Sequence, residues 1–409
     1  MAYVCGSPGT WTLYARRPDR QPNSLGPVTA PRSRLRTVGS TEIADALASA
    51  LDGGPVVAPL PPDPVERRQA LAVLRPDQPV LEPEAAVVVT TSGSTGRPKA
   101  AVLSGSAIRA SVAATHARLG GAGDWVLALP GHYVAGLMVL ARTVLGRTRA
   151  WPVRSDLRDL PATVAHLTGR RYLSVVPTQL SRARREDRVW EALGTFDAVL
   201  VGGGRTEPGL LAEARAAGIA VVPTYGMSET CGGCVYAGLP LDGVEIVVAD
   251  GGQILIGGEV LFSGYRLRPE LTRATLVDGR LATADRGRWS DGRLEVLGRR
   301  DDVVITGGLN VDLAAVEELA RGWAGRSGAD AVVVGVPDAE WGTRIVAVID
   351  GRGELADLQQ AVRRSLPAYA APRQLVKLPR LPRLASGKPD RRALRALVAR
   401  GDGAGGESR

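Results

Sequence analysis

The stretch with the densest chemistry is Thr90-Thr91-Ser92-Gly93-Ser94-Thr95-Gly96-Arg97-Pro98-Lys99. Thr91, Ser92, Ser94 and Thr95 offer hydroxyls, and Gly93 and Gly96 let a guest approach bare backbone. The loop N–H groups and the Lys99 ammonium complete a cradle for an anion, and a polyphosphate is the natural guest. The pattern is not a Walker loop, because that loop ends Gly-Lys-Ser/Thr and here Pro98 precedes the lysine. Taken alone, the stretch also reads as a Ser/Gly-rich surface turn. Lysine is otherwise scarce: of 51 basic residues, all but Lys99, Lys377 and Lys388 are arginines. Where such a chain keeps a lysine, a compact ammonium suits the place better than a guanidinium fork. Cys231-Gly232-Gly233-Cys234 is a lone CxxC. Zinc would want a second ligand pair, so the run reads as small residues packed around a pocket.

These residues need elements to position them. Ala85-Ala86-Val87-Val88-Val89 is short, β-branched and uncharged, and predicts a buried strand leading into the loop. Ser104 or Ser106 caps a helix running to Arg118. Residues 1–37 are rich in Pro, Arg, Gly and Ser and read as a disordered or extended lead-in. A helix follows from a cap at Thr41 to Leu51, then a short strand within 55–60. Past the loop, strands at 126–129, 172–176, 198–201 and 219–222 alternate with helical segments reaching Leu145 and spanning 208–217. This alternation argues for an α/β sheet with ligand-binding loops at the strand C-termini. After Ala237 come short strands with Gly and Asp turns, at 244–248, 253–256, 260–262 and 293–297, which read as a small β subdomain. Beyond Arg299-Arg300-Asp301-Asp302 lies an α+β unit. It has strands at 303–305, 331–336 and 344–349, and helices at 313–321 and 355–365. The fold class is therefore α/β: a large multi-subdomain N-terminal domain over 38–300, a small α+β C-terminal domain over 301–398, and a disordered tail over 399–409.

Composition limits the function classes. The chain has 409 residues, enough for two or three domains, and 44% of them are hydrophobic, an ordinary share for a globular core. The net charge of +9 comes from arginines scattered among 42 acids, with no aromatic-rich basic stripe. That excludes a nucleic-acid footprint and leaves mild steering of anionic substrates. Three cysteines make no disulfide framework, nothing resembles a secretory signal, and no apolar run approaches the about 18 residues of a membrane span. A reduced, cytoplasmic protein is expected.

In order and spacing, the short elements between about Thr37 and Leu397 resemble those of the acyl-adenylate-forming (AMP-binding) enzymes, the superfamily of acyl-CoA synthetases, adenylation domains and luciferases. The resemblance implies that the loop, Thr91 to Gly96 with Lys99, grips the β- and γ-phosphates of ATP. Gly202-Gly203-Gly204 would lie against the adenine. In Tyr225-Gly226-Met227-Ser228-Glu229-Thr230, Tyr225 would cover the adenine face, Glu229 would hold Mg²⁺, and Thr230 would touch the α-phosphate. Gly226 and Met227 belong to the same nucleotide motif, and Ser228 faces the acyl pocket. In Thr283-Ala284-Asp285, with Ala where the family has Gly, Asp285 would accept from both ribose hydroxyls. Arg299 would reach the ribose and Asp301 would be the hinge of a mobile C-terminal domain. Lys388, in Ser386-Gly387-Lys388-Pro389-Asp390-Arg391, would be the catalytic lysine, and Gly307 and Gly308 would line the pantetheine tunnel. On this reading Lys388, Thr230 and Glu229 are catalytic, ATP, Mg²⁺ and CoA are required, and Lys99 is not the catalytic lysine.

The run from Ser228 to Tyr236 and on through Gly238-Leu239-Pro240-Leu241-Asp242-Gly243-Val244 resembles the o-succinylbenzoate–CoA ligases of bacterial menaquinone synthesis, particularly the short actinobacterial type. Pro130-Gly131-His132-Tyr133-Val134-Ala135-Gly136 fits their acyl-pocket loop, with His132 and Gly136 near the substrate. The partners implied are ATP, an aromatic or acyl carboxylate and CoA, with no nucleic acid and no membrane, and a homodimer stays open as the assembly. Another aryl- or acyl-CoA synthetase would share every catalytic motif, and an adenylation enzyme loading a separate carrier protein would share the first step. A basic nucleic-acid-binding protein would explain the charge but not the ordered motifs.

Overall fold

A seven-stranded sheet forms the backbone of the large domain in the computed structural model, which describes residues 33–82, 84–91, 99–384 and 388–403. Its strands run in the order Leu239–Pro240, Gly232–Tyr236, Val221–Met227, Ala198–Val201, Arg171–Val175, Asp124–Leu127 and Ala150–Pro152. The five from Val221–Met227 onward are parallel, and the other two turn back antiparallel. Parallel strands are covered on both faces, which is why they read as unbroken apolar runs. Alternation along one strand shows both faces: Val199 and Val201 pack with Leu180, Leu193 and Leu210, whereas Ala198 and Leu200 pack with Ala114 and Val139.

The loop that opens the sequence reading lies on a second, five-stranded sheet ordered Gly264–Tyr265, Lys99–Ser104, Ala85–Thr91, Val57–Pro59, Arg36–Val38. Thr91 and Lys99 are cross-strand partners, so the two ends of the loop meet. Ser92, Gly93, Ser94, Thr95 and Gly96 lie outside the described residues. Ser104 caps helix Gly105–Leu119 by accepting from the Ala107 amide at 3.0 Å, a contact worth about 1 kcal/mol. A third sheet, built on Val244–Val248, Gln253–Gly258, Arg280–Ser290 and Arg293–Arg299, forms the β subdomain.

The small domain carries its own sheet of Leu309–Asp312, Val303–Thr306, Gly342–Ile349 and Ala331–Asp338, with Gln374–Lys377 parallel to Gly342–Ile349. Helices Leu313–Gly325 and Leu355–Arg363 cover one face and helix Arg391–Gly403 the other. Among the described residues, polar contacts join this domain to the large one. Arg205 pairs with Glu318 at 2.6 Å, Arg286 with Asp312 at 3.5 Å, and Arg185 donates to the Gly328 carbonyl at 3.2 Å.

The structure corrects several sequence expectations. Strands Ser33–Arg34 and Arg36–Val38 lie inside the stretch read as an extended lead-in. They form because Leu35 and Val38 bury their side chains under neighbouring strands. The helix expected from Thr41 begins at Ile43 after a short 3-10 turn over Ser40–Glu42. The strand expected at 219–222 runs from Val221 to Met227, because Tyr225, Gly226 and Met227 are held by pairing with Gly232–Tyr236. No strand forms at 260–262, although Val260 and Phe262 are buried. Helix Arg391–Gly403 takes up the first part of the stretch read as a disordered tail, since Leu394 and Val398 complete a core. Helix Pro64–Leu74 was not foreseen, although Asp63 and Pro64 are a legible start: the carboxylate accepts from the Val65 and Glu66 amides.

Candidate active site

Strand Gly264–Tyr265 pairs with Lys99–Ser104 and so brings Tyr265 beside Lys99. The Lys99 ammonium lies 2.5 Å from the Tyr265 hydroxyl and 3.0 Å from Glu229 Oε1. Tyr265 in turn donates to the same Oε1 at 2.6 Å. Glu229 is buried, held in the 3-10 turn Ser228–Thr230, and its carbonyl accepts from the Phe262 amide. Burial, and then the Glu229 charge, push the Tyr265 phenol well above its ordinary pKa, so it remains a protonated donor. Tyr265 is a site residue that the sequence reading missed. Its signal was its place across the sheet from the loop lysine, which only strand pairing reveals.

The second cluster gathers the residues expected at the nucleoside end. Tyr225 donates to Asp285 Oδ2 at 2.8 Å, and Arg299 stands opposite Asp285 in the strand ladder, with its Nη1 3.9 Å from Oδ1. Burial and then the Asp285 charge raise the Tyr225 pKa strongly, keeping the proton on the phenol. Gly202-Gly203-Gly204 follows strand Ala198–Val201. A Cβ at Gly202 would fall 2.3 Å from Thr224 Oγ1, and Gly203 holds a left-handed φ of +77°, so these positions call for glycine on backbone grounds. A Cβ at Gly226 would sit 2.0 Å from the Gly232 carbonyl oxygen across the ladder. The Thr230 hydroxyl is completely buried, accepts from the Met227 amide at 2.9 Å and donates to the Gly232 carbonyl at 2.7 Å. In this state its contacts hold the turn in shape.

Lys388 arrives from the small domain. Its carbonyl accepts from the Leu384 amide, and Arg383 pairs with Pro389. Arg391, three residues on, is fixed to the domain body through Glu317 and the Val333 carbonyl, both at 2.6 Å. The residue is exposed. Loss of bulk solvent lowers its pKa, Asp285 pulls it back up, Arg299 lowers it and Glu229 raises it. The charges of Asp285, Arg299 and Glu229 are thus the ones Lys388 senses. Asp301 lies in the 3-10 turn Arg300–Asp302 between the domains. Gly307 and Gly308, with φ of +57° and +79°, form an exposed hairpin tip flanked by exposed Ile305 and Leu309.

Residues 130–146, the loop and helix expected to border the acyl pocket, are mostly apolar, with two buried ionisable exceptions. His132 is buried, leans on Tyr133 at 4.3 Å between ring centres, and its Nε2 has no partner. Burial lowers its pKa. Gly136 contributes packing: a Cβ there would lie 2.3 Å from the Pro130 carbonyl oxygen, so glycine lets helix Val134–Gly146 meet the loop that bears His132. Ser228 opens the turn that carries Glu229, and its carbonyl accepts from Cys231. Cys231 and Cys234 pack in the hydrophobic core, where burial pushes both thiols up to about 12.

The second exception is Arg142, which the sequence reading did not single out among so many arginines. It is 3% exposed, two turns into the helix that starts after His132, one turn past Met138, which packs against Gly232. Its guanidinium lies 4.8 Å from the Trp125 ring centre, makes a long 3.4 Å contact to the Tyr236 hydroxyl, and leaves Nε without a partner. No carboxylate among the described residues pairs with it. The available signal was an arginine interrupting the apolar helix run from Val134 to Leu145.

Comparison with known proteins bears on this arrangement. The sequence model of the AMP-binding enzyme family matches residues 28–266, and that of the AMP-binding enzyme C-terminal domain matches 327–388. The chain is 42% identical over 344 residues to a probable 2-succinylbenzoate–CoA ligase of Mycobacterium tuberculosis, covering 81% of this chain and 89% of that one. It is similar to the o-succinylbenzoate CoA synthetase of Bacillus subtilis in complex with the acyl-adenylate intermediate OSB-AMP (TM-score 0.71, 25% identity, 88% of this chain and 83% of that one). The structure of the Bacillus subtilis enzyme in complex with ATP and magnesium ion gives a TM-score of 0.69 at 25% identity, over 87% and 82%. Both family models fall in order along the sequence, the first matching more than half of it, and the chain belongs to the AMP-binding enzyme family.

Proposed function

We propose that the protein is an AMP-forming acid–thiol ligase that activates o-succinylbenzoate with ATP and transfers the acyl group to CoA, as in menaquinone (vitamin K2) biosynthesis. The observation that carries the choice of acid is Arg142. A buried guanidinium without a carboxylate is costly, and a substrate carboxylate offsets that cost. o-Succinylbenzoate is a dicarboxylate: one carboxylate is activated, and the second has Arg142 to meet. The relatives carrying that name point the same way.

A carboxylate is a poor acyl donor because its leaving group would be oxide. Attack of one carboxylate oxygen on the α-phosphorus of ATP forms a P–O bond, breaks the bond to pyrophosphate and leaves a mixed anhydride with AMP. Negative charge spreads in that transition state, and the Lys388 ammonium stands where it can offset it. Asp285 and Arg299 are placed for the ribose, and the backbone of Gly202-Gly203-Gly204 for the base. Glu229, a buried carboxylate already matched to the Lys99 cation, suits a hard divalent ion shared with phosphate oxygens. When bound, magnesium supplies charge neutralisation on the phosphates.

In the second half the CoA thiol sulfur attacks the acyl carbon, the C–O bond to AMP breaks, and the thiol proton is released. The exposed Gly307-Gly308 tip reaches that centre by rotation of the small domain about the turn at Arg300–Asp302, which withdraws Lys388. A cytoplasmic location is part of the proposal, because the reaction consumes ATP and CoA. Among the described residues, no helix is long and apolar enough to cross a membrane.

The test is a coupled assay with ATP, Mg²⁺ and CoA against o-succinylbenzoate, benzoate, malonate and medium-chain fatty acids, following AMP and thioester. Turnover with o-succinylbenzoate is expected. Turnover with another acid but none with o-succinylbenzoate would overturn the choice of acid.

A further inference from the structure

The Lys99–Tyr265–Glu229 cluster is a closed ionic arrangement at the place where nucleotide and metal are to bind. Glu229 Oε1 meets the Lys99 ammonium at 3.0 Å and the Tyr265 hydroxyl at 2.6 Å, while Lys99 lies 2.5 Å from that same hydroxyl and 4.1 Å from the ring centre. One oxygen of a buried carboxylate thus has a neutral donor and a cation. The neutral donor cannot leave easily. Tyr265 is nearly fully buried, paired through its backbone with Ala101, bonded through its amide to Thr272 Oγ1 at 2.8 Å, and set against Phe262 at 4.8 Å between ring centres. The cation can leave: Lys99 is the last residue of the loop stretch, on a long flexible stem, with about a quarter of its side chain exposed.

We infer that Tyr265 is a positioning residue that holds Glu229 while the carboxylate exchanges its cation, the Lys99 ammonium in the nucleotide-free enzyme for a divalent ion in the ATP-bound one. The inference rests on the reading of the site as one for ATP and magnesium. A divalent ion on Glu229 and an ammonium 3.0 Å from the same oxygen repel each other. Metal arrival therefore drives Lys99 off the carboxylate and toward the phosphates, which its charge suits. Before ATP arrives, Lys99 keeps the buried Glu229 from standing as an uncompensated charge, and it also keeps metal away. Tyr265 is the fixed element of this exchange, because its hydroxyl fixes the aim of the carboxylate whichever cation is present. Its acceptor lone pair stabilises the ammonium only in the nucleotide-free form.

The test uses the full chain and Mn²⁺ as the probe, with free Mn²⁺ counted by electron paramagnetic resonance. For the wild type, Mn²⁺ binding is expected to be weak alone and tight with a non-hydrolysable ATP analogue. Lys99→Met, which removes the resident cation, is expected to tighten binding of Mn²⁺ alone by roughly tenfold, the scale of one contact to a charged group. Glu229→Gln in the Lys99→Met background is expected to abolish that gain. Tyr265→Phe, which keeps the ring and its Phe262 contact, is expected to weaken Mn²⁺ in the ternary complex by roughly tenfold. It should also raise the KM for MgATP while leaving the KM for the acid unchanged. A Lys99→Met chain that binds Mn²⁺ alone no better than wild type would overturn the exchange. A Tyr265→Phe chain with unaltered ternary Mn²⁺ affinity, or with both KM values raised alike, would overturn the positioning role. A wild type that binds no Mn²⁺ even with the ATP analogue would instead remove the nucleotide-and-metal reading beneath it.

Discussion

Tyr225 donates to Asp285 at 2.8 Å, tying the last parallel strand of the central sheet to the ladder of the β subdomain. The phenol meets the carboxylate proposed for the ribose, so on that proposal the nucleoside site is assembled before ATP arrives. Asp285→Ala removes an acceptor for hydroxyls and the partner of Tyr225 and Arg299. Its KM for ATP is expected to rise by about one to two orders of magnitude, the scale of hydrogen bonds to a charged group. Tyr225→Phe keeps the ring and is expected to change that KM less than about threefold. Steady-state kinetics in ATP on both variants checks this.

The role proposed for Arg142 carries a stability cost. Arg142→Met removes a buried guanidinium that has no carboxylate partner among the described residues, so the desolvation cost of the charge goes with it. Its thermal midpoint is expected to equal or exceed that of the wild type, while its KM for o-succinylbenzoate rises by about tenfold or more. Arg142→Lys, with a shorter reach and no fork, is expected to recover only part of the loss. A large fall in thermal midpoint with Arg142→Met would make the residue a structural one.

Gly136 separates packing from pocket lining. A Cβ there meets backbone at 2.3 Å, which side-chain motion cannot relieve. Gly136→Ala is expected to cost about 1–3 kcal/mol in urea unfolding, as overpacking does, and to impair use of the acid by shifting the loop that bears His132. A pocket-lining role alone would leave the urea midpoint unchanged.

The histidines predict a pH dependence of stability. Burial lowers the pKa of both His132 and His116 in the folded chain, Arg142 adding to the effect on His116. The unfolded chain therefore binds more protons than the folded one between those lowered values and about 6.5. Stability should rise with pH across that window and fall as the solution is acidified through it. Urea midpoints between pH 5 and 7.5 check the sign, and His132→Asn should flatten part of the slope.

Much of the fold was legible because local pattern and burial agree. Ala198–Val201 is apolar on both faces, as a central parallel strand must be, and Ser104 caps the helix that follows it in sequence. The illegible parts depend on tertiary pairing. The strand through Tyr225-Gly226-Met227 reads as a loop because glycine weakens the strand pattern, yet antiparallel pairing with Gly232–Tyr236 holds it. The helix at Arg391–Gly403 hides behind its arginines, since only Leu394 and Val398 mark its buried face. In the site, glycines, Glu229 and Lys388 stand out by motif. Tyr265 and Arg142 do not, because each meets a partner more than ninety positions away, Lys99 and Tyr236 respectively.

The most direct measurement is a rapid-quench comparison of wild type and Lys388→Ala with ATP, Mg²⁺ and o-succinylbenzoate, first without CoA and then with CoA and preformed acyl-adenylate. Wild type should release pyrophosphate and accumulate acyl-adenylate without CoA. Lys388→Ala should form acyl-adenylate about a hundredfold or more slowly, the scale of losing one charge-stabilising group at the reacting centre, yet convert preformed acyl-adenylate to thioester at a near wild-type rate. Because Lys388 has a lowered pKa and acts as an ammonium, the wild-type first half-reaction should also decline as pH rises toward that value, below the ordinary 10.5. Normal adenylation by Lys388→Ala with loss confined to thioester formation would contradict the assignment of the far lysine to the α-phosphate.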